Sequence, residues 1–264
     1  MYEGEIRKQG DTVIIRGIPD ITIEDHNIGD KVTYERPETP NTSLLIDKGK
    51  RWGIRVDDIV KIQSDLPLLN KWTDDASMQM KISIERSFLR DSAIYAGMHA
   101  SNTGATCGVI SGDINMGTTA APVQITKTSV LDYIIDAGTV LEEQDVPVIN
   151  PWMIIPTWMA GCIKKSDLKD ASMTADGKST LRTGQIGMID KFTLFSSNLL
   201  YYAGTPRYWV ALYGIKDAIT FATQLTKTES LRAQDSFDDL VRGLQVYGYK
   251  VIKNVAYGAL IVYK

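Results

Sequence analysis

"GDTVIIRGIPDITIEDHNIGDKVTYERPE", residues 10–38, decides how this chain is read. Apolar and polar residues alternate along it with the two-residue period of half-buried strands, while charged and turn-forming residues break it every few positions. Its strand segments are TVIIRGI (12–18), DITIED (20–25) and KVTYERP (31–37), and SLLIDKGKRWGIRVDD (43–58) continues in the same character. NIGD (27–30) and PETPN (37–41) both carry turn chemistry, because Gly29 tolerates positive φ and the prolines fix φ; either serves as the tip of a two-stranded ribbon. About ten paired residues, at ~3.3 Å each, make an arm about 30 Å long. No helical pattern is near enough in sequence to cover its apolar side. A two-stranded ribbon alone is marginal in water and needs a surface to rest on. Its open edges also invite random pairing unless they are blunted. Glu24, Asp25, Lys31, Glu35, Arg36, Pro37 and Pro40 blunt them, and with Tyr34 they form the candidate contact set of the arm.

Outward from the ribbon the period changes. From Ser64 to about Ala96 it is helical, with Ser64 or Asp65 suited to the N-cap and Pro67 to the first turn. Trp72, Ala76, Met80, Ile84 and Phe88 form an i, i+4 row, the expected core face of a spine-like helix. Gly97 suits its end. Some 30 residues make a rod of about 45 Å. Residues 95–125 are rich in Gly, Ala, Ser and Thr without a period, which reads as a mobile loop or as irregular chain laid on a neighbour. A helix over 128–144, a buried strand VINPWMIIP (148–156), a short helix over 156–165, a polar loop (166–184), strands over 186–197 and 207–214, a helix over 216–225 and two closing strands complete the chain. Strands and helices mix without a βαβ repeat, so the expected class is α+β.

Composition narrows the function. The chain has 264 residues, 44% of them hydrophobic and 23% charged, enough for a large core. With 29 basic against 32 acidic side chains and a net charge of -3, there is no basic excess to track a phosphate backbone, which disfavours sequence-specific nucleic-acid binding. No apolar run approaches the ~20 residues of a membrane span, so no membrane partner is expected. Two cysteines, Cys107 and Cys162, make neither a disulfide framework nor a metal-ligand spacing.

The chemical motifs are weak. ADGKST (175–180) resembles the end of a phosphate-binding loop, but the place of its first glycine is held by Ser172. GDINMGTT (112–119) has the glycine separation but Thr118 in place of the lysine. Of the two histidines, His26 sits in the ribbon. His99 shares the small-residue segment with Cys107, and that dyad is the one candidate for a cysteine hydrolase. Asp57–Asp58, Asp74–Asp75 and Asp238–Asp239 are adjacent in sequence, so their side chains diverge. No cofactor and no catalytic set is expected.

The order of parts, a long charged ribbon, a spine-like helix and a mixed α+β region, resembles the major capsid (coat) proteins of tailed bacteriophages, the Hong Kong 97-like (HK97-like) fold. The local sequence resembles one phage coat-protein group in YEGEI (2–6), GDTV (10–13), DITI (20–23), YERPE (34–38), IDK (46–48), VDDIVKIQSDL (56–66), DDASMQM (74–80), SGDINMGTTAAPV (111–123), KKSDLKDASMTADG (164–177), FATQLTKTESLR (221–232) and GLQVYGYKVIK (243–253). The resemblance implies a division into an extended loop (11–58), a peripheral domain (1–10, 59–125 and 243–264, with the spine helix over about 64–96) and an axial domain (126–242). It implies a shell subunit that forms hexamers and pentamers of itself in an icosahedral head around double-stranded DNA. Portal, scaffolding or decoration proteins would be its further partners, the host cytoplasm its place of assembly and the virion its destination. Family members carry an N-terminal arm ahead of the segment matching YEGEI, and some form Lys–Asn cross-links; neither is carried over to residues of this chain. An encapsulin-like nanocompartment shares the fold and is the alternative shell.

Overall fold

The structure, a computed structural model, describes residues 12–17, 21–29, 31, 33–39, 41–59, 68–145, 149–166, 187–234 and 236–264. Its elements in chain order are β1 (Thr12–Arg16), β2 (Asn41–Leu45), β3 (Lys48–Asp57), α1 (Leu68–Leu89), α2 (Ser92–Ala96), β4 (Val123–Gln124), α3 (Val130–Glu142), β5 (Trp152–Ile155), α4 (Thr157–Lys165), β6 (Met188–Ile189), β7 (Phe192–Ser196), β8 (Tyr202–Ala203), β9 (Tyr208–Gly214), β10 (Ile219–Arg232), β11 (Asp238–Val251) and β12 (Tyr257–Tyr263). The class is α+β. The chain divides into two compact units, 1–65 with 221–249, and 66–220 with 250–264.

In the first unit β1 and β2 pair antiparallel, from Thr12↔Leu45 to Arg16↔Asn41. β3 pairs antiparallel with β11, and β10 lies on the far side of β11. Val13, Leu44 and Ile46 bury against Ala222 and the partly buried Val246, which fixes the base of the ribbon by an apolar contact. At Gly248 a Cβ would strike the Leu45 carbonyl oxygen, so the close approach of the two backbones depends on glycine.

The helix expected over 216–225 is not formed. Lys216–Ala218 makes a single 3-10 turn, and β10 runs from Ile219. The β-branched and aromatic residues Ile219, Thr220, Phe221 and Thr223 favour the pleated conformation, and pairing with β11 decides it. Residues 221–242, read from sequence with 126–242, therefore group with β3. Asp238 is buried and meets Arg55 at 2.6 Å, while Arg232 bridges Asp58 and Asp239.

In the second unit the strands run β4-β12-β9-β5-β7-β6, with β8 added to β9. The inner strands β9 (YWVALYG) and β12 (YGALIVY) are buried along nearly their whole length, as near-continuous apolar runs require. Val130, Ile134, Ala137 and Leu141 of α3 face the same core at helical spacing, with Met159 and Ile163 of α4.

The spine helix is shorter than expected. α1 ends at Leu89, and Asp91, whose side chain accepts from the Ala93 N–H at 2.9 Å, starts α2 as a separate helix. Residues 64–67 lie outside the described residues. Twenty-two residues give α1 a length of about 33 Å.

The small-residue segment is not a free loop. Bridges Gly104↔Gly117 and Cys107↔Ile114 fold it on itself, and Cys107 and Met116 are fully buried in the core of the second unit. Gly117, at φ +78, lies where a Cβ would collide with the Ile261 carbonyl oxygen, so this chain can lie flat on β12 only as glycine. One polar residue ties the region together. Asn102, fully buried, donates through Nδ2 to the Val255 and Tyr257 carbonyls at 2.7 and 3.1 Å. It accepts at Oδ1 from Gln144 Nε2 at 2.7 Å, and its own carbonyl accepts from the Tyr213 hydroxyl at 2.7 Å.

Candidate assembly surface

The outer part of the ribbon, the described residues of 21–39, is a feature that the chain's own cores do not use. Beyond Arg16↔Asn41 the described residues 21–39 form no regular ladder, in contrast to the strands expected over 20–25 and 31–37. Two strands with no third to support them do not hold a continuous ladder in water. The register nevertheless continues. Thr22 donates through N–H and Oγ1 to the two carboxylate oxygens of Glu35, at 2.7 and 3.3 Å. That pair extends the β1–β2 register and centres the fold-back on the turn at Ile28–Gly29, with Gly29 at φ +100. NIGD is thus the tip, and PETPN lies on the returning side.

Every described residue from 21 to 39 is exposed. The set includes Glu24, Asp25, Lys31, Tyr34, Glu35, Arg36 and Pro37; Pro40 lies outside the described residues. Glu35 already has a partner inside the ribbon. Large apolar side chains stand in solvent: Ile23 is 93% exposed, Ile28 107% and Tyr34 91%. On the spine helix, Ile84 is buried, Ala76, Met80 and Phe88 are partly buried, and Trp72 is exposed. Leu89, which the i, i+4 row missed, is buried as well.

A recess of roughly 470 Å³ opens in the three-stranded sheet of the first unit, among Arg51, Trp52, Lys227, Glu229, Arg242 and Leu244. Glu229 pairs with Lys227 and, at 2.6 Å, with Arg242. These cations hold its carboxyl below the usual range, the Lys227 hydrogen bond contributing most. Nothing local in the chain announces this site, since β3 is far in sequence from the β10–β11 pair that it joins.

A second surface feature is the turn at 108–112, with Val109 and Ile110 exposed. One oxygen of Glu143, just past α3, accepts from the N–H of Ile110 at 2.9 Å, the N–H of Ser111 at 3.1 Å and the Ser111 hydroxyl at 3.1 Å. The backbone N–H groups of Ile110 and then Ser111 hold this carboxyl below its ordinary value. The clamp is therefore complete above the ordinary glutamate value, near ~4.3, and is lost as pH falls through the lowered one. The protection of the Ile110 and Ser111 amides, taken relative to their intrinsic exchange rate at each pH, is expected to fall on acidification below that range, and at neutral pH in Glu143→Ala. Protection that is unchanged in Glu143→Ala would show that the carboxylate does not hold the turn.

The chemical candidates find other uses. The Cys107 thiol lies 3.3 Å from the Gly104 carbonyl, and burial raises its pKa, which disfavours a nucleophilic thiolate. His99 Nδ1 accepts from the Ser101 N–H at 3.3 Å and lies 3.3 Å from Gln144 Nε2. GDINMGTT follows no strand and opens no helix, so it lacks the setting of a phosphate-binding loop. ADGKST lies outside the described residues. Among the described residues no group of three or more His, Cys, Asp or Glu is placed to hold a metal ion, and no helix is long and apolar enough to cross a membrane.

No protein-family model and no curated protein matches this sequence. Solved structures do match. A chain from Mycobacterium phage Che8 aligns at TM-score 0.70 and 24% identity, over 95% of this chain and 84% of that one. The capsid structure of cyanophage P-SCSP1u aligns at TM-score 0.69 and 12% identity, over 97% and 84%. The mature capsid of bacteriophage PhiM1 aligns at 0.68 and 13%, over 98% and 84%. The likeness covers nearly the whole chain, and the fold is the HK97-like capsid fold.

Proposed function

We propose that this chain is a major capsid protein, the repeating tile of an icosahedral phage head, built as hexamers and pentamers around double-stranded DNA. The observation that carries this is the ribbon. Its apolar side chains, Ile21, Ile23, Ile28 and Tyr34, lie exposed along the arm, on a chain with the fold of capsid subunits. A neighbouring copy supplies the missing surface. Each such contact is modest, and a closed lattice becomes stable through their number.

On this reading residues 11–58 are the extended loop. Residues 59–125 and 243–264, with 1–10, serve the peripheral part with the spine helix, and 126–242 the axial part, apart from 221–242, which we assign to the loop's base because β10 pairs with β11 and β11 with β3. The chain acts structurally and not as an enzyme. A net charge of -3 suits a wall that leaves packaged DNA to its counterions and binds it without reading sequence. Portal, scaffolding and decoration proteins are its further partners, with assembly in the host cytoplasm and residence in the virion. Electron microscopy and sedimentation of the purified protein test this. Closed particles or capsomers are expected, and a stable 29.3 kDa monomer at high concentration would overturn it. Nuclease-protected DNA inside particles from infected cells distinguishes a genome shell from an encapsulin-like one.

A further inference from the structure

We propose that the outer face of α3, with the turn at 108–113, is an acidic docking surface for a second copy of this chain, which meets it with the arginine cluster formed by the end of α1 and the β8–β9 turn. This rests on reading the chain as a shell subunit, and the contact does not involve the ribbon. Asp132 and Asp136 stand four residues apart and share one side of α3. Asp113 lies close enough to act on them. Burial first, then the charges of Asp132 and Asp113, raise the Asp136 carboxyl above its ordinary value. Asp113 and Asp132 are exposed, and so is Ile135 beside them. Val109 and Ile110 stand in solvent on the turn that Glu143 holds to the end of the helix. Among the described residues, none of the three aspartates forms an ion pair.

The arginine cluster is the counterpart. Arg90 Cζ lies 5.0 Å and Arg207 Cζ 5.2 Å from the centre of the Tyr202 ring, so one aromatic side chain holds both cations. Arg90 Nε donates to the Leu199 carbonyl at 3.1 Å, which fixes the guanidinium in place. Arg86, exposed, stands one turn earlier on the same side of α1. Tyr202 is itself exposed and leans on Trp209, with 6.5 Å between the ring centres. Among the described residues, none of the three arginines forms an ion pair. Like charges gathered without counter-charge repel, and each cluster carries what the other lacks. Guanidinium groups match the fork of a carboxylate, and the exposed isoleucines and Tyr202 supply apolar surface for the centre of the contact. A nucleic-acid strand would satisfy the arginines and leave the aspartates and isoleucines uncovered, whereas a second copy satisfies both. Both clusters belong to the second unit, so every copy offers one of each. A contact between unlike surfaces repeats from copy to copy around a ring, and its charges select partner and register.

Two charge-reversed versions of the full chain test this. Arg86→Glu with Arg207→Glu makes both surfaces net acidic, and Asp113→Arg with Asp132→Arg makes both net basic. Each alone is expected to melt as the parent does and to stay unassembled in sedimentation. Mixed in equal amounts, they are expected to form oligomers that contain both chains, because every contact in an alternating ring then joins unlike charges. A reversed chain that assembles alone as well as the parent, or two folded chains that stay apart when mixed, overturns the contact and leaves the shell reading intact. A parent chain that builds neither capsomers nor particles overturns both. Where a reversed chain does not fold, the neutral pairs Arg86→Gln with Arg207→Gln, and Asp113→Asn with Asp132→Asn, take its place. Each pair is expected to raise the concentration needed for assembly several-fold, and the four changes together no further than the larger of the two; losses that multiply, or no loss from either pair, overturn the contact.

Discussion

Deleting residues 21–36 leaves a subunit that melts as the parent does and builds no shells. Every described residue removed is exposed, so no core contact is lost. The apolar base formed by Val13, Leu44, Ile46 and Ala222 stays, and the remaining residues between Arg16 and Asn41 are enough to close a turn. A shorter loop is slightly easier to close. The change in stability should stay within about 0.5 kcal/mol, as for other surface changes. Assembly is another matter. A stable protein contact buries roughly 800 Å² per partner, and the arm carries Ile21, Ile23, Ile28 and Tyr34 in solvent, apolar surface that such a contact would cover. Thermal melting of the unassembled chain and sedimentation of the assembly reaction read the two effects separately. Shells of normal size from the deleted chain would mean that the arm is ornament, and a collapse in melting would mean that it folds onto its own unit.

Legibility from sequence followed the range of the interactions. α3 was readable because Val130, Ile134, Ala137 and Leu141 repeat at the helical period and lie in one local stretch. The ribbon was readable as an arm, but its tip was not. Gly29 and the prolines both offer turns, and only the register fixed from Thr12↔Leu45 onward chooses between them. β10 misled, because Ile219–Leu225 carries apolar residues at spacings that suit a helix, and the hydrogen-bond partner that settles it lies on β11. Trp72 misled in another way. It sits in the i, i+4 row, yet burial begins farther along α1, at Ile84 and Leu89. The recess was illegible for the same reason as β10. Arg51, Glu229 and Arg242 meet only through strand pairing, and nothing in the residues around each one announces the others.

The small-residue segment shows what a polar residue contributes to such a fold, and it gives the second large expected effect. Asn102→Leu keeps the approximate volume of the side chain and removes all three of its hydrogen bonds. The Val255 and Tyr257 carbonyls and the Gln144 amide then lose their partner at a site with no solvent access to Asn102. Each buried group left unsatisfied costs about 1–3 kcal/mol. Gln144 lies at the end of α3 and can turn toward water, so the two carbonyls dominate. A loss on the order of 3 kcal/mol follows, or roughly 6–12 °C in melting temperature for a chain of this size. Gln144→Leu, which strands only the Asn102 oxygen, should cost less than half as much. If Asn102→Leu melts within about 1 °C of the parent, the segment is held by the burial of Cys107 and Met116 alone. The expected ordering, Asn102→Leu well below Gln144→Leu, would instead assign the fixing of residues 95–125 onto β12 to one amide, which a composition of glycine, alanine, serine and threonine cannot reveal.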